Sequence, residues 1–250
     1  MIVPTVWVDV GVVLIYGSHI DADYHQHVAL QVIWPQHEHT YELNGNTLHG
    51  LTIIASKQSH CLQIQKGWIV LVEPTSRLGE QLTTLLKAQP FLHVHESADK
   101  SMRSPKDREE AYNRLSPLFQ SLSIDSTSLR LNQSLVTDRR IQCLLNELNA
   151  CFAAECIKPK HWRAADVAQT LHLCESRFLH LFKAQIGIAW RPFLLWRRLN
   201  CALQALIKGC SATDAAYIAG FSDGAHLSRT FRATFGMSIV QAKANWVTKD

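Results

Sequence analysis

The segment DVAQTLHLCESRFLHLFK, residues 166–183, recurs with one extra residue as DAAYIAGFSDGAHLSRTFR, residues 214–232. In each copy a short apolar helix with a small inner residue, Ala168 or Ala216, reaches a tight turn. A second helix follows and ends in Phe-Lys or Phe-Arg. This outline predicts two helix-turn-helix units, in each of which the second helix can lie in the major groove of DNA.

The turns of the two copies differ in how well their residues suit the backbone. Gly220 can adopt the positive φ that a sharp turn needs, and Ser222 or Asp223 can cap the helix that follows. His172 stands at the corresponding place in the first copy, where a left-handed backbone strains a residue other than glycine. Each copy is followed by a glycine where a helix usually stops, at Gly187 and Gly236.

The second helix of each copy has an outward face that predicts contacts with DNA. Helical spacing places on these two faces Ser176, Leu179, His180 and Lys183, then Gly224, Ala225, His226, Arg229 and Arg232. Arg229 can donate two hydrogen bonds to guanine, whereas Lys183 and Arg232 suit phosphate contacts. A surface arginine is ordinarily only solvated, so the prediction depends on the duplicated motif.

Beyond these helices the chain resembles a known family. Residues 220–236, GFSDGAHLSRTFRATFG, together with residues 176–183 and WRRL at 196–199, are similar to the DNA-binding domain of the AraC/XylS transcription regulators over about a hundred residues. Trp190 and Ile239 stand where this family usually has proline. The resemblance implies a bacterial regulator that binds double-stranded promoter DNA through tandem helix-turn-helix motifs.

A long helix is predicted between the two motifs, over residues 190–207. It would span roughly 27 Å, which can hold the two recognition helices near one ~34 Å turn of B-DNA apart. Four basic residues lie on or beside it and either face DNA or pair with acids: Arg191, Arg197, Arg198 and Lys208. Asp138 is a candidate N-cap for an earlier helix that runs to about residue 153.

Charge is unevenly placed along the 250 residues, of which 47% are hydrophobic. Residues 1–135 hold 10 basic and 13 acidic side chains, a net charge of −3, whereas residues 136–250 hold 15 and 8, a net charge of +7. A basic C-terminal half suits a polyanionic partner. The overall composition is that of a globular chain with room for two domains.

Cysteine usage and hydropathy predict a cytoplasmic protein. The seven cysteines form no C-x-x-C pair and cannot all be bridged within one chain, so we expect reduced, mostly buried thiols. The apolar start is interrupted by Asp9, and no apolar run is long enough to cross a bilayer. We expect no membrane partner.

The N-terminal part is rich in strand-forming residues. Short β-branched and aromatic runs, separated by turns such as Asn44-Gly45-Asn46, occupy residues 6–8, 10–16, 28–34, 52–55, 61–64 and 68–72. Helical patterns follow at 77–87 and 106–122, and residues 121–134 have a linker composition.

We therefore predict an α+β chain with three parts. Residues 1–99 form an N-terminal cupin-like β-barrel that senses an effector, a resemblance to the same family that rests on spacing alone. Residues 100–135 form a helical connector and linker, and residues 136–250 form the C-terminal all-α domain with tandem helix-turn-helix motifs.

Four polar side chains are candidates for the effector site. Alternation places His25, His27 and Gln31 on one side of a strand, where His60 from a later strand can meet them inside the barrel. A metal cupin has H-x-H, a glutamate and a later histidine, but here Gln31, a weaker neutral ligand, stands at the glutamate position. We therefore expect no metal and no cofactor, and interpret the four as a hydrogen-bonded or small-ligand cluster.

The leading interpretation is a DNA-binding transcriptional regulator modulated by a small molecule, and not an enzyme. Its expected partners are double-stranded promoter DNA and a small-molecule effector, with RNA polymerase and a second copy in a homodimer left open. An alternative is a metal-dependent cupin enzyme fused to a DNA-targeting domain, against which the missing fourth ligand counts. A DNA alkyl-repair protein would need clustered cysteines, which the sequence lacks.

Overall fold

The computed structural model describes residues 5–36, 39–95, 99–100, 103–129, 136–153 and 162–245. Strands fill the first part: β1 (Thr5–Asp9), β2 (Val12–His25), β3 (Leu30–Pro35), β4 (Tyr41–Leu43), β5 (Asn46–Leu48), β6 (Leu51–Ile54), β7 (His60–Val72) and, after helix α1 (Arg77–Leu86), β8 (Phe91–Val94). Helices fill the rest: α2 (Arg108–Ser121), a short 3-10 helix (Ser126–Leu129), α3 (Arg139–Ala153), α4 (Ala164–Thr170), α5 (Glu175–Ile186), α6 (Trp190–Ile207), α7 (Ala212–Ile218), α8 (Gly224–Phe235) and α9 (Ile239–Asn245). The predicted α+β class is confirmed.

The strands form one antiparallel sheet in the order β1-β2-β7-β3-β6-β8, and β4 pairs with both β5 and β7. Strand β7 pairs with β2 along its length, with β4 near its start, and with β3 near its end. The sequence indicated two strands here, at residues 61–64 and 68–72. They form one strand because Gly67 lets the carbonyl of Trp34 come close, where an added Cβ would lie 2.5 Å from that oxygen.

The predicted turn at residues 44–46 joins β4 to β5. Asn44 has φ of 53° and Gly45 has φ of 78°, the two left-handed residues of a type I′ hairpin turn. Strands β4, β5 and β8 were not predicted. Each has only three or four residues, so its alternation is too short to detect in the sequence.

Helices α1 and α2 cover one face of the sheet, which we call the outer face. Alternation along β2 turns Leu14 and Tyr16 toward these helices, where they pack with Leu82 of α1 and with Leu115 and Phe119 of α2. All five side chains are fully buried. Each contributes about 1.5–3 kcal/mol by leaving water, so this face is well covered without the C-terminal half.

The opposite, inner face of the sheet is covered by the C-terminal helices. Val13 and Leu71 belong to the same apolar cluster as Leu199 and Leu203 of α6 and Phe231 of α8. A separate cluster holds α3, α4, α5 and the start of α6 together. The hydrophobic core of the second helix-turn-helix unit is therefore continuous with the core of the barrel.

Two expectations about the chain as a whole can be compared with the structure. Cys61, Cys143, Cys174 and Cys210 are free thiols, as expected, but Cys143 and Cys174 are exposed and not buried. Cys201 is disulfide-bonded, so the expectation of a reduced thiol was wrong for this residue. Within the described ranges, no helix combines the length and the apolar character that a membrane crossing requires.

Candidate functional site

The two helix-turn-helix units are built with the same backbone hydrogen bonds. In the first, His172 N–H donates to Gln169 and Leu173 N–H donates to Ala168, at 3.0 and 2.8 Å. In the second, the N–H groups of Gly220 and Phe221 bond to Tyr217 and Ala216 at the same two distances. His172 has φ of 55° and Gly220 has φ of 72°, so the histidine adopts the left-handed backbone that the glycine adopts without strain.

The N-terminus of α8 is more strongly capped than that of α5. Asp223 Oδ1 accepts a hydrogen bond from His226 N–H at 2.6 Å, which settles the predicted choice between Ser222 and Asp223 in favour of the aspartate. Cys174 stands at the N-cap of α5 and its side chain makes no capping hydrogen bond. The hydrogen bond from His226 N–H also holds the pKa of the Asp223 carboxyl below its usual range.

Arg198 of α6 contacts the turn of the second helix-turn-helix unit and holds it in place. Its guanidinium donates to the carbonyl of Ala219 at 3.0 Å and to that of Gly220, and it lies over the ring of Phe221. Arg198 is therefore a structural contact within this domain. Its role supports the alternative that some basic residues of α6 serve packing and not DNA.

Most predicted reading residues lie on the solvent side of their helices. Ser176, Leu179, His180, Lys183, Ala225, Arg229 and Arg232 are exposed, whereas Gly224 and His226 are half-buried. Gly224 rests against Thr213, and the His226 ring packs on Phe221 and hydrogen-bonds Ser222. Roles in DNA contact stay a prediction for all nine.

The four residues proposed for the effector site do come together. His27 Nε2 lies 3.0 Å and His60 Nε2 lies 3.2 Å from Gln31 Oε1, and the ring centroids of His25 and His60 are 4.3 Å apart. They reach this cluster from different elements than expected: His25 ends β2, His27 lies in the following loop, and Gln31 is in β3. The chain turns between His25 and Gln31, so one continuous strand was the wrong geometry.

The histidine cluster is buried, and burial keeps its rings neutral. Loss of water lowers the pKa of His27 to about 4 and that of His60 to about 3, and it also lowers the pKa of His25. All three rings are therefore uncharged at neutral pH.

His27 lines two cavities. The smaller, of about 40 Å³, is bounded by His25, His27 and barrel residues and by Leu203, Phe235 and Met237 of the C-terminal part. The larger, of about 300 Å³, opens between the loop that carries His27, Lys57 and helix α6. Both cavities have walls from the barrel and from the C-terminal helices, so the cluster lies at a domain interface.

The C-terminal end of α8 touches the barrel directly. Asp23 N–H donates to the carbonyl of Gly236 at 2.9 Å, and Arg232 pairs with the carboxylate of Asp23 at 3.0 Å. A Cβ on Gly236 would lie 2.4 Å from the Asp23 carbonyl and 2.7 Å from His25 Nδ1. Gly236 therefore ends α8, as predicted, and also permits this close approach.

A buried ion pair joins the barrel to α6. Glu73, which follows β7, accepts hydrogen bonds from a terminal nitrogen of Arg197 at 2.8 Å and from the indole of Trp196 at 3.2 Å. Arg197 Nε lies 2.7 Å from Glu73 Oε1, an ion-pair distance. The side chains of Glu73 and Arg197 are only 3% and 8% exposed. Burial raises the pKa of Glu73, and the Arg197 guanidinium acts in the opposite direction. The sequence did not point to Glu73, because no local pattern links residues 124 positions apart.

The C-terminal half of the chain resembles known proteins in sequence. A family profile described as "Helix-turn-helix domain" matches residues 167–245. The "Probable transcriptional regulator LumQ" of Photobacterium leiognathi is 33% identical over 75 residues, which span only 30% of this chain and 30% of that protein.

Solved structures extend the likeness. The match to ToxT from Vibrio cholerae has a TM-score of 0.50 at 11% identity and covers 94% of this chain and 99% of the ToxT chain. At this identity the match shows only that the two chains share a fold. A Chromobacterium violaceum transcriptional regulator with an AraC-type DNA-binding domain is 27% identical, with a TM-score of 0.36, over 43% of this chain and 95% of its own.

Proposed function

We propose that this chain is an AraC/XylS-type regulator, which binds promoter DNA in a sequence-specific way and changes transcription when a small molecule binds at its domain interface. The observation that carries the proposal is the pair of equivalent helix-turn-helix turns, each followed by a helix with an exposed face, in a half of net charge +7. Such helices read base edges while basic side chains bind phosphates. In this proposal the protein is a cytoplasmic regulator and not an enzyme.

The proposed effector site is the larger interface cavity beside His27. Its volume of about 300 Å³ lies at the lower end of the range for small-molecule pockets, about 300–1,000 Å³. Leu195 and Trp196 of α6 form one wall and the loop around His27 forms the other. A molecule that binds here contacts both domains, so it can favour one relative arrangement of barrel and reader over another.

Occupancy mapping across the genome tests the DNA half of the proposal. We expect discrete sites upstream of genes, and we expect the purified full chain to bind fragments from those sites more tightly than scrambled DNA of equal length. Affinity should fall as salt rises, because bound counterions are released from the DNA. Equal affinity for site and scrambled DNA would contradict sequence-specific binding.

A cavity-filling substitution tests the effector half. Leu195→Trp should fill the larger cavity and abolish the response of a reporter gene to the inducing condition. Leu194→Trp is the matched control, because Leu194 is half-buried on the same helix but packs with α3, α4 and α5. An unchanged response in a folded Leu195→Trp protein would place the effector elsewhere.

RNA polymerase and a second copy of the chain are further proposed partners, since a regulator bound at a promoter acts on the polymerase beside it. Light scattering of the full chain with and without operator DNA tests the second copy, and in vitro transcription tests the polymerase. A monomer on DNA that leaves transcription unchanged would contradict both.

A further inference from the structure

The three buried histidines share one contact, between Nδ1 and a main-chain carbonyl, that a ring satisfies when its proton is on Nδ1. In each ring Nδ1 lies within hydrogen-bond distance of a main-chain carbonyl two residues away. These contacts run from His25 to Asp23 at 2.7 Å, from His27 to Ala29 at 2.9 Å and from His60 to Gln58 at 2.9 Å. Because a carbonyl only accepts, a neutral ring that satisfies this contact carries its proton on Nδ1 and leaves a lone pair on Nε2.

Those lone pairs face a further acceptor. Gln31 Oε1 lies 3.0 Å from His27 Nε2 and 3.2 Å from His60 Nε2, so with both ring protons on Nδ1 three electron-rich atoms face one another. One resolution is a rotated amide whose nitrogen donates to both rings. The other is a cation among the four atoms, since imidazole rings held through Nδ1–H···O=C bonds are typical of metal ligands.

Distance and volume favour a cation. One nitrogen from each of His25, His27 and His60 lies within 4.8 Å of the other two, and all three residues are buried. Ligand nitrogens at about 2.0–2.1 Å from a tetrahedral zinc ion are about 3.4 Å apart, so a modest contraction closes the site. The adjoining cavity of about 40 Å³ is too small for an organic effector but has room for an ion with a bound water.

We propose that His25, His27 and His60 bind one divalent transition-metal ion through Nε2, with Gln31 Oε1 as a fourth ligand. Three neutral imidazoles and an amide oxygen suit Zn²⁺, Co²⁺ or Ni²⁺ better than Mg²⁺ or Ca²⁺, which prefer all-oxygen sites. The sequence argued against a metal because a glutamine replaces the usual glutamate. The structure adds the convergent Nε2 atoms and their carbonyl partners, which no sequence pattern displays.

The site is connected to the DNA-reading helix through one residue. The carbonyl of Asp23 holds His25 Nδ1, and the N–H of Asp23 donates to the carbonyl of Gly236 at the end of α8. An ion that fixes the His25 ring therefore also stabilises this contact between barrel and reader. This part of the inference rests on the proposed function, whereas metal binding itself does not.

Metal titration of the tag-free, chelator-stripped full chain tests the site, with Zn²⁺ followed by calorimetry and Co²⁺ by its visible absorption. We expect one equivalent to bind, and we expect His27→Gln and His60→Gln each to weaken binding at least 100-fold. His95→Gln is the control, because His95 is an exposed histidine whose ring packs against that of His93, away from the cluster. Absence of stoichiometric binding, or equal affinity in a folded His27→Gln protein, would overturn the proposal.

A variant that should bind metal more tightly provides a second test, because a gain of affinity cannot result from a failure to fold. Gln31→Glu adds a charged ligand at the position where the neutral amide stands, so it should tighten Zn²⁺ binding about tenfold. A hydrogen-bonded cluster without a metal role predicts no increase. Thermal melting of each stripped protein identifies those that remain folded, and a folded Gln31→Glu protein with unchanged Zn²⁺ affinity would count against the site.

DNA affinity with and without Zn²⁺ tests the connection to the reader. We expect Zn²⁺ to change operator affinity several-fold in the wild type and not in His60→Gln. If the ion binds but operator affinity is constant, the link through Asp23 is refuted and the metal site stands. If operator DNA is not bound under either condition, the proposed function fails while the calorimetric result is unaffected.

Discussion

Breaking the buried pair between Glu73 and Arg197 should strongly destabilise the protein. Both side chains are nearly inaccessible to water and meet through two short contacts. Glu73→Gln retains the shape but leaves the Arg197 charge without its counter-ion, and such a loss typically costs about 3–5 kcal/mol. Since whole domains are stable by about 5–15 kcal/mol, the midpoint of urea unfolding should fall clearly. Trp196, whose indole donates to Glu73, provides a fluorescence signal at this position.

A double substitution separates the interaction from the loss of a charge partner. Glu73→Leu combined with Arg197→Met replaces the pair with apolar side chains, so most of the lost stability should return. Arg77→Ala is the control, because its 3.6 Å pair with Asp125 is about half exposed on both sides and should contribute little to stability. A loss in Glu73→Gln no larger than in this control, or losses that simply add in the double variant, would refute the reasoning.

Three further predictions concern the helix-turn-helix units. Gly187→Ala should lower the free energy of unfolding by about 1–2 kcal/mol, because its backbone is left-handed. Gly236→Ala should lower it by about 1–3 kcal/mol more, because the added Cβ also meets the barrel. Equal losses of the two variants in urea unfolding would contradict that contact. Arg229→Ala should weaken specific DNA binding by about 1–3 kcal/mol and relax the preference for one base. Lys183→Ala should weaken binding to all DNA sequences alike, and competition against scrambled DNA distinguishes the two variants. His172→Gly should raise stability by up to about 1 kcal/mol because it relieves a positive φ, and a lower melting temperature would show that the His172 side chain contributes more than its backbone strain.

The reading domain could be predicted from sequence because its signals are local. Ala168 and Ala216, and the turn residues His172 and Gly220, recur at fixed spacing, and each acts within a few residues of its own position. Gly67 misled the strand prediction, since a glycine usually interrupts a strand and here admits a neighbouring carbonyl.

The candidate sites were predictable only in part because they depend on distant pairing. The H-x-H spacing of His25 and His27 was visible, but the chain leaves β2 at His25 and enters β3 only at Leu30, so a loop and not one strand joins them to Gln31. Glu73 and Arg197 meet only after the barrel and α6 have packed. No periodicity in either segment records that contact.

The predicted domain boundary near residue 136 defines a C-terminal fragment whose behaviour can be compared with that of the full chain. A fragment of residues 136–250 keeps both helix-turn-helix units but exposes Trp196, Leu199 and Leu203, which the barrel covers in the full chain. We expect it to bind DNA, because it keeps both helix-turn-helix units, but to self-associate more than the full chain. Sedimentation of the two proteins at equal concentration provides the measurement.

The continuous core also determines when the barrel can complete its folding during synthesis. The sheet is fully synthesised once Val94 has left the ribosome, but its inner face is covered only when α6, α8 and Met237 follow, 143 residues later. At about 5–20 residues per second this interval lasts roughly 7–30 s, during which an apolar sheet surface is exposed to the cell. The nascent chain is therefore a client for chaperones that bind such surfaces, and its yield in cells should depend on them more strongly than its equilibrium stability suggests.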